Sequence, residues 1–438
     1  MRAWTPQQVA DAAVARLVAA PDVVESGPSR AVIDSREAGP DDLFFGLVGE
    51  HTDGGRFAAD VLAAGAWGVV VRPEHAERLS GGVVLTTDDP LSALQRLATA
   101  WRRALGAKVI GVTGSTGKTS TKDLLAAMVG QQKRTVATHA NFNTEIGLPL
   151  TVLGAPDGTE VLVLEMAMRG AGQIAELAQI AEPDVALITN IGPVHLEQLG
   201  SIEAIAAEKA SVIAGLRPGG TAVVPRDEPL LQPHLRDDVH TVTFGPGDEL
   251  ANLEIGFTSK HMRLNAGAAL AAARAVGVEP SGHVEVALSD LRGQRIELPG
   301  GVTVVNDCYN ANPMSMRAAL DDLAVAATGR RVAVLGDMLE LGPDEERFHR
   351  EIGDHARASG VDLLITVGPR AAAMQGDHAV ADAAEAAALV PELLEDGDTV
   401  LVKASRGVGL EVVAQALTAG GDGVSASGPR KLGPADDV

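Results

Sequence analysis

The stretch KVIGVTGSTGKTSTKDLLAAM (108–128) passes from an apolar strand pattern through a glycine-rich turn into a helical pattern. Consecutive backbone N–H groups at such a helix N-terminus cradle phosphate oxygens. Thr113, Gly114, Ser115, Thr116, Gly117, Lys118, Thr119 and Ser120 form the turn and the helix start. Lys118 supplies a point charge for terminal phosphates, and the Thr119 hydroxyl is placed to ligate Mg²⁺. The strict G-x-x-x-x-G-K-[ST] spacing fails by one residue, because Val112 stands at the first glycine position and Gly111 lies one earlier. Strand and helix still sit where the mechanism requires them, so ATP is the expected ligand.

Working outward, continuous apolar runs alternate with helical stretches: EVLVLEM (160–166), DVALITN (184–190) and TAVVP (221–225). Such runs imply a parallel sheet covered on both faces. A second series follows, VTVVND (302–307), RRVAVLGD (330–337), VDLLITVG (361–368) and DTVLVKAS (398–405). Before the phosphate loop, AVIDSR (31–36), LFFGL (43–47), WGVVV (67–71) and VVLTT (83–87) are separated by turn signals, and LSALQRLATAWRRAL (91–105) reads as a helix. An α/β chain of three units is expected: 1–106, 107–295 and 296–438, the last with a disordered Gly, Ser and Pro-rich tail from about residue 420.

The 438 residues carry 36 Lys and Arg against 58 Asp and Glu, a formal charge of −22. Such a surface repels phosphate backbones and anionic membranes. Aromatics at 3% offer few stacking platforms for single-stranded nucleic acid. Neither nucleic-acid binding nor membrane insertion is expected, and any anionic ligand must be held at a few local sites. The lone Cys308 excludes an intrachain disulfide framework and a cysteine-based zinc cluster. MRAWTPQQVADAAVARLVAAPD (1–22) has an amphipathic helical pattern without the apolar core of a signal peptide. A cytoplasmic monomer is the expectation.

A phosphate loop alone does not identify a reaction. TGSTGKTS, ANFNTEIGLPL (140–150), VLEMAMRGAGQI (163–174) and TNIGPVHLEQLGS (189–201) together resemble the ATP-dependent Mur ligase family. ELPGGVTVVNDCYNANPMSM (297–316), VLGDMLELG (334–342) and VKASRG (402–407) extend the resemblance, which runs from about residue 31 to 415. The YNANP form resembles the branch that adds D-alanyl-D-alanine to a UDP-N-acetylmuramoyl-tripeptide. DSREAGPDDLFFGLVGEHTDGGRF (34–57) resembles that branch's UDP-binding unit. The resemblance implies a three-domain fold and an amide-bond ligase that passes through an acyl phosphate. It implies ATP and two Mg²⁺ sites, a UDP-linked peptide as carboxylate and a dipeptide or amino acid as amine. A paralogous ligase for other substrates and an inactive Mur-like binding protein remain open.

By strand-end position and family match, Glu165 is implied as a Mg²⁺ ligand with Thr119. His195 and Lys209, the latter as a carbamate, are implied at a second Mg²⁺. Lysine must be neutral to react with CO₂, and burial favours that form; Ser211 replaces the acidic residue that family members often carry two positions later. Lys118, Lys209, His195 and Arg295 are the implied catalytic set. His261 and Asn265 match an element that approaches adenine, Arg295 the arginine that reaches the γ-phosphate, Asp307 the ribose-binding aspartate, and Asn310 a residue near the base. Asn141, Asn143 and Thr144 are implied where substrate meets phosphate. Ser35, Arg36, Gly49 and Glu50 match a uridine-nucleotide surface, and Asp337, Glu340, Ser405 and Arg406 the site of the incoming amine. Sixteen residues lie between Phe244 and His261, an interval usually much longer in the family, so the middle unit is expected to be short near 245–260.

Overall fold

The computed structural model describes residues 1–419 apart from 78, 251, 257, 258, 288 and 290; the expected tail from about 420 lies outside the described residues. Among the described residues, three sheets of five or six strands follow one another along the chain, with one two-stranded pair besides. In the middle one the phosphate-loop strand, Lys108–Thr113, sits inside six parallel strands. Their spatial order is His240–Phe244, Thr221–Pro225, Val185–Ile188, Lys108–Thr113, Val161–Glu165, Thr135–Ala137. Val161–Glu165 and Val185–Ile188 are buried throughout, which is why both read as unbroken apolar runs. Their parallel direction brings Thr113, Glu165 and Ile188 to one edge, where a doubly wound sheet binds its ligands.

The first sheet has the order Arg16–Ala19, Val83–Thr86, Gly68–Val71, Asp42–Phe45, Arg30–Val32, with its first strand antiparallel and the rest parallel. The helical pattern of residues 1–22 is corrected here. The helix ends at Ala13, Val14 takes a left-handed conformation (φ 53°), and Arg16–Ala19 becomes an edge strand on Val83–Thr86. The gain from sheet pairing outweighs local helical preference.

The helix Pro90–Leu105 joins the first two units, capped by Asp89, whose carboxylate accepts the Ser92 N–H at 3.0 Å. Its buried Leu94, Leu97, Ala98 and Trp101 share one helical face. Trp101 Nε1 donates to Ala155 O (3.0 Å) and Arg102 reaches Ala181 O (3.0 Å) and Asp184 (3.2 Å), so one apolar core runs through both units.

The third sheet has the order Gln294–Glu297, Thr303–Asn306, Thr399–Lys403, Arg331–Gly336, Leu363–Val367, His378–Val380. Gln294–Glu297 is a hairpin partner of Thr303–Asn306, with Arg295 opposite Val305. Residues 294 and 295 thus pair within the third sheet. Between Phe244 and His261 the one strand among the described residues is the two-residue Leu253–Glu254, paired with Gly282–His283. No helix among the described residues is long and apolar enough to cross a membrane.

Candidate active site

The middle and third units face each other across a cleft of about 2810 Å³. On its middle-unit wall, two glycines make the phosphate loop possible. Gly114 has φ 146°, and a Cβ there would fall 1.9 Å from Thr189 Oγ1; Gly117 has φ 75°, and a Cβ would fall 2.7 Å from Asn265 Oδ1. The loop is held by the segment after the strand Val185–Ile188. Ser115 Oγ donates to Gly192 O (3.0 Å) and accepts from Gly192 N (2.8 Å). Thr116 N donates to Asn190 Oδ1 (2.9 Å), Asn190 Nδ2 to Thr116 Oγ1 (2.8 Å) and Thr189 Oγ1 to Thr116 O (2.6 Å). The Ser115 and Thr116 side chains thus build the loop, and Asn190 is a loop-forming residue that motif reading passed over. Thr113 Oγ1 is buried without a partner, while Ser120 faces the cleft. Lys118 Nζ donates to Gly114 O at 2.8 Å. Burial pushes its pKa below the lysine range, the Arg292 charge adding to the effect and Glu165 opposing it.

Glu165 closes its strand 2% exposed. Its N–H donates to Thr138 Oγ1 (2.9 Å), and its Oε1 accepts from Asn143 Nδ2 (2.9 Å). Oε2 is buried with no partner. A buried bare carboxylate oxygen is costly, and a hard divalent cation with oxygen ligands is the group that offsets it. The donor set therefore fits Mg²⁺. Asn141, Asn143 and Thr144 all line the cleft, and Asn143, 8% exposed, spends its side-chain amide on Glu165 and so orients that carboxylate. Lys122 was not anticipated: its Nζ donates to Thr138 O (2.9 Å) and pairs with Asp123 (2.5 Å), tying the phosphate-loop helix to the loop beside Glu165.

Lys209 is buried in the helix Ile202–Ala214, its Nζ 4.0 Å from Met168 Sδ. Burial, then the Lys118 charge, pushes its pKa well below the usual lysine range against the pull of Glu208. Ser211 Oγ donates back to Glu208 O (2.6 Å). His195, with φ 54°, places Nδ1 2.5 Å from Oε2 of Glu340, itself at φ 62°. Hydrogen bonding from His195 holds the Glu340 carboxyl below its usual range, against burial and with help from the His195 and Arg169 charges. The structure thus brings a residue of each wall together across the cleft.

Of the residues expected at the nucleotide, Asn265 is buried against Gly117. His261 is turned toward the third unit, its Nδ1 3.0 Å from Asp322 Oδ2 at ion-pair distance but without hydrogen-bond geometry. Arg295 lines the cleft from an exposed position. Arg292, three residues earlier, donates from Nη2 to Thr119 Oγ1 (3.1 Å) and lies over the Tyr309 ring at 3.9 Å, with its Nε buried and unpartnered. The RGQR sequence offered two arginines, and resemblance alone pointed to the second. Asp307 pairs with Lys403 at 2.6 Å, and Asn310 is exposed in the cleft.

Two residues expected at the amine site spend their side chains on bonds within their own unit. Asp337 Oδ1 accepts Arg370 N (3.0 Å) and Ala371 N (2.7 Å) and the side chain is buried, so it caps a turn of its own unit. Ser405 Oγ accepts Leu339 N (2.9 Å) and donates to Ala311 O (3.3 Å), acting as a brace. Glu340, Ser405 and Arg406 line the cleft, Arg406 3.4 Å from Glu411. Ser35 and Arg36 follow the strand Arg30–Val32, and Gly49 and Glu50 follow Asp42–Phe45, at one edge of the first sheet. Asp34 pairs with Arg36 at 2.6 Å, and Gly49 N donates to Thr52 O (2.9 Å). None of these four is among the residues lining the large cleft.

Residues 112–268 match the Mur ligase middle domain, and residues 291–406 match the Mur ligase glutamate ligase domain. The UDP-N-acetylmuramoyl-tripeptide–D-alanyl-D-alanine ligase of Bacillus subtilis is 38% identical over 423 residues, covering 88% of this chain and 92% of that protein. The enzyme of the same name from Mycobacterium tuberculosis is 37% identical over 465 residues, covering 88% and 91%. The crystal structure of MurF from Acinetobacter baumannii superimposes with a TM-score of 0.84 at 28% identity, over 95% of this chain and 99% of that one. MurF ligase from Thermotoga maritima, solved with ADP, gives 0.78 at 29% identity over 89% and 96%. With this phosphate loop, strand-end glutamate and interdomain cleft, the chain belongs to the Mur ligase family.

Proposed function

We propose that the chain joins D-alanyl-D-alanine to a UDP-N-acetylmuramoyl-tripeptide at the expense of ATP. The observation that carries the reading is the buried, uncommitted Oε2 of Glu165 beside a complete phosphate loop, in a chain whose relatives share that activity in name. The peptide carboxylate attacks the γ-phosphorus, ADP leaves, and an acyl phosphate forms. The dipeptide amine then attacks the acyl carbon, inorganic phosphate departs, and the amine nitrogen gives up a proton.

Both steps crowd anionic oxygens, so cations and oriented donors lower the barrier. Thr119 and Glu165 would hold one Mg²⁺, and His195 with carbamylated Lys209 a second; bound there, the ions offset phosphate and carboxylate charge. The backbone donors of 114–119 seat the phosphates, Lys118 offers its ammonium to them, and Asn143 keeps Glu165 aimed. Arg295 completes the γ-phosphate site, His261, Asn265, Asp307 and Asn310 surround the nucleoside, and Asn141 and Thr144 meet the reacting carboxylate. Ser35, Arg36, Gly49 and Glu50 hold the uridine nucleotide on the 1–106 unit, and Glu340 and Arg406 receive the amine. When ligands enter, Glu340 exchanges His195 for the amine component.

Phosphate release measured with ATP, Mg²⁺, UDP-N-acetylmuramoyl-tripeptide and D-alanyl-D-alanine, each omitted in turn, tests the reading. Release should require all four, and Lys118→Ala should abolish it. Release that ignores the dipeptide, or persists without Lys118, refutes it.

A further inference from the structure

Lys403 carries an ammonium although its side chain is 2% exposed. It ends the strand Thr399–Lys403, whose pairing of Val402 with Asn306 sets Lys403 beside the turn that follows Asn306. The ammonium is spent on that turn: Asp307 Oδ2 at 2.6 Å, Asn310 O at 3.0 Å and Asp307 O at 3.4 Å. A buried ammonium persists only where it is paired and hydrogen-bonded. Here the pairing consumes one oxygen of Asp307. Oδ1 has no hydrogen bond among the described residues, and the side chain, 21% exposed, faces the cleft. Two residues on, Ser405 bonds Ala311 O and Leu339 N. One strand end thus fixes both the 307–311 turn and the loop leading to Glu340.

We propose that Lys403 is a positioning residue for nucleotide recognition: it locks the Asp307 carboxylate so that its second oxygen meets a ribose hydroxyl. This rests on reading Asp307 as the ribose carboxylate. Without the lysine, Asp307 loses its fixed rotamer, and selectivity for the ribose declines while the phosphate loop is untouched.

The test compares ATP, 2′-deoxy-ATP and 3′-deoxy-ATP as substrates for wild type, Lys403→Met, Lys403→Gln, Asp307→Asn and the Lys403→Met/Asp307→Asn pair, with thermal unfolding of each. Wild type should favour ATP over at least one deoxy analogue by about tenfold in kcat/KM. Lys403→Met and Asp307→Asn should each reduce that preference to about twofold, through KM rather than kcat. The pair should fall no further, because both act on one contact. Lys403→Gln, which keeps a donor for Asp307, should recover part of the preference even if Lys403→Met folds poorly. A Lys403→Met or Lys403→Gln protein that is less stable yet keeps the full preference overturns the proposal and leaves the ribose reading standing. A preference that is absent in wild type, or unchanged in Asp307→Asn, overturns both.

Discussion

Arg292 reaches across the join between the middle and third units to donate to the Thr119 hydroxyl at 3.1 Å, with the Tyr309 ring stacked 3.9 Å from its guanidinium carbon. A planar cation fixed on an aromatic face stands at the phosphate loop, and its charge is felt by Lys118. A lysine keeps the charge but neither the plane nor the fork of donors. Arg292→Lys should therefore behave like Arg292→Ala, each lowering ATP-dependent phosphate release about 10- to 100-fold. Steady-state rates at saturating peptide check this, and a wild-type rate in Arg292→Lys would count against stacking.

Asn143 spends its side-chain amide on Glu165 Oε1, leaving Oε2 for a ligand. Residues that orient a metal-binding group tune its affinity without touching the ion. Asn143→Ala should weaken the apparent Mg²⁺ affinity about 10- to 100-fold, with a smaller change in KM for ATP once Mg²⁺ saturates. Mg²⁺ titrations of activity separate the two, and an unchanged Mg²⁺ requirement would remove Asn143 from this role.

The buried strands were legible because they are apolar along their length, as in Val161–Glu165 and Val185–Ile188. Arg16–Ala19 and Thr135–Ala137 are short and half-exposed, so their pairing depends on distant neighbours that local pattern does not encode. Glu165 was legible from its place at the end of an apolar strand in a doubly wound sheet, and Lys118 from its place where the glycine-rich turn opens a helix. Side chains claimed by remote backbone were not. Asp337 is taken by N–H groups 33 and 34 residues away, and Ser405 by Leu339 and Ala311. Arg292 was hidden because its partners, Thr119 and the Tyr309 ring, lie on other segments of the chain.

Lys209 is buried without a carboxylate hydrogen-bonded to it, and its pKa lies well below the lysine range because of that burial. The unfolded chain holds the proton more readily, so the lysine costs stability at all pH values below its usual range. Lys209→Met removes that cost with little change in shape and should raise stability by about 1 kcal/mol. It should nevertheless lower phosphate release at least about 100-fold, because no carbamate can form. Thermal unfolding beside rate measurements checks both halves. A stable Lys209→Met protein with normal turnover would exclude the carbamate.

His349 is fully buried behind the loop that carries Glu340: its Nε2 accepts Met338 N–H (2.9 Å) and its Nδ1 is 2.7 Å from Glu345 O. Both contacts suit the neutral ring with a proton on Nδ1. Burial pushes its pKa below the ordinary 6.5, outweighing the pull of Glu345 and Asp337. In the window between the native value and 6.5 the unfolded chain binds a proton that the native chain does not. Stability contributed by this site is therefore complete above that window and is lost as pH falls through it, by no more than about 1.4 kcal/mol per pH unit for one proton. Replacing the ring by the non-titrating amide of His349→Gln should lower stability at pH 8 but flatten its decline between pH 7 and pH 5. Thermal unfolding across that range distinguishes the slopes, and parallel curves for the two proteins would show that His349 does not titrate on unfolding.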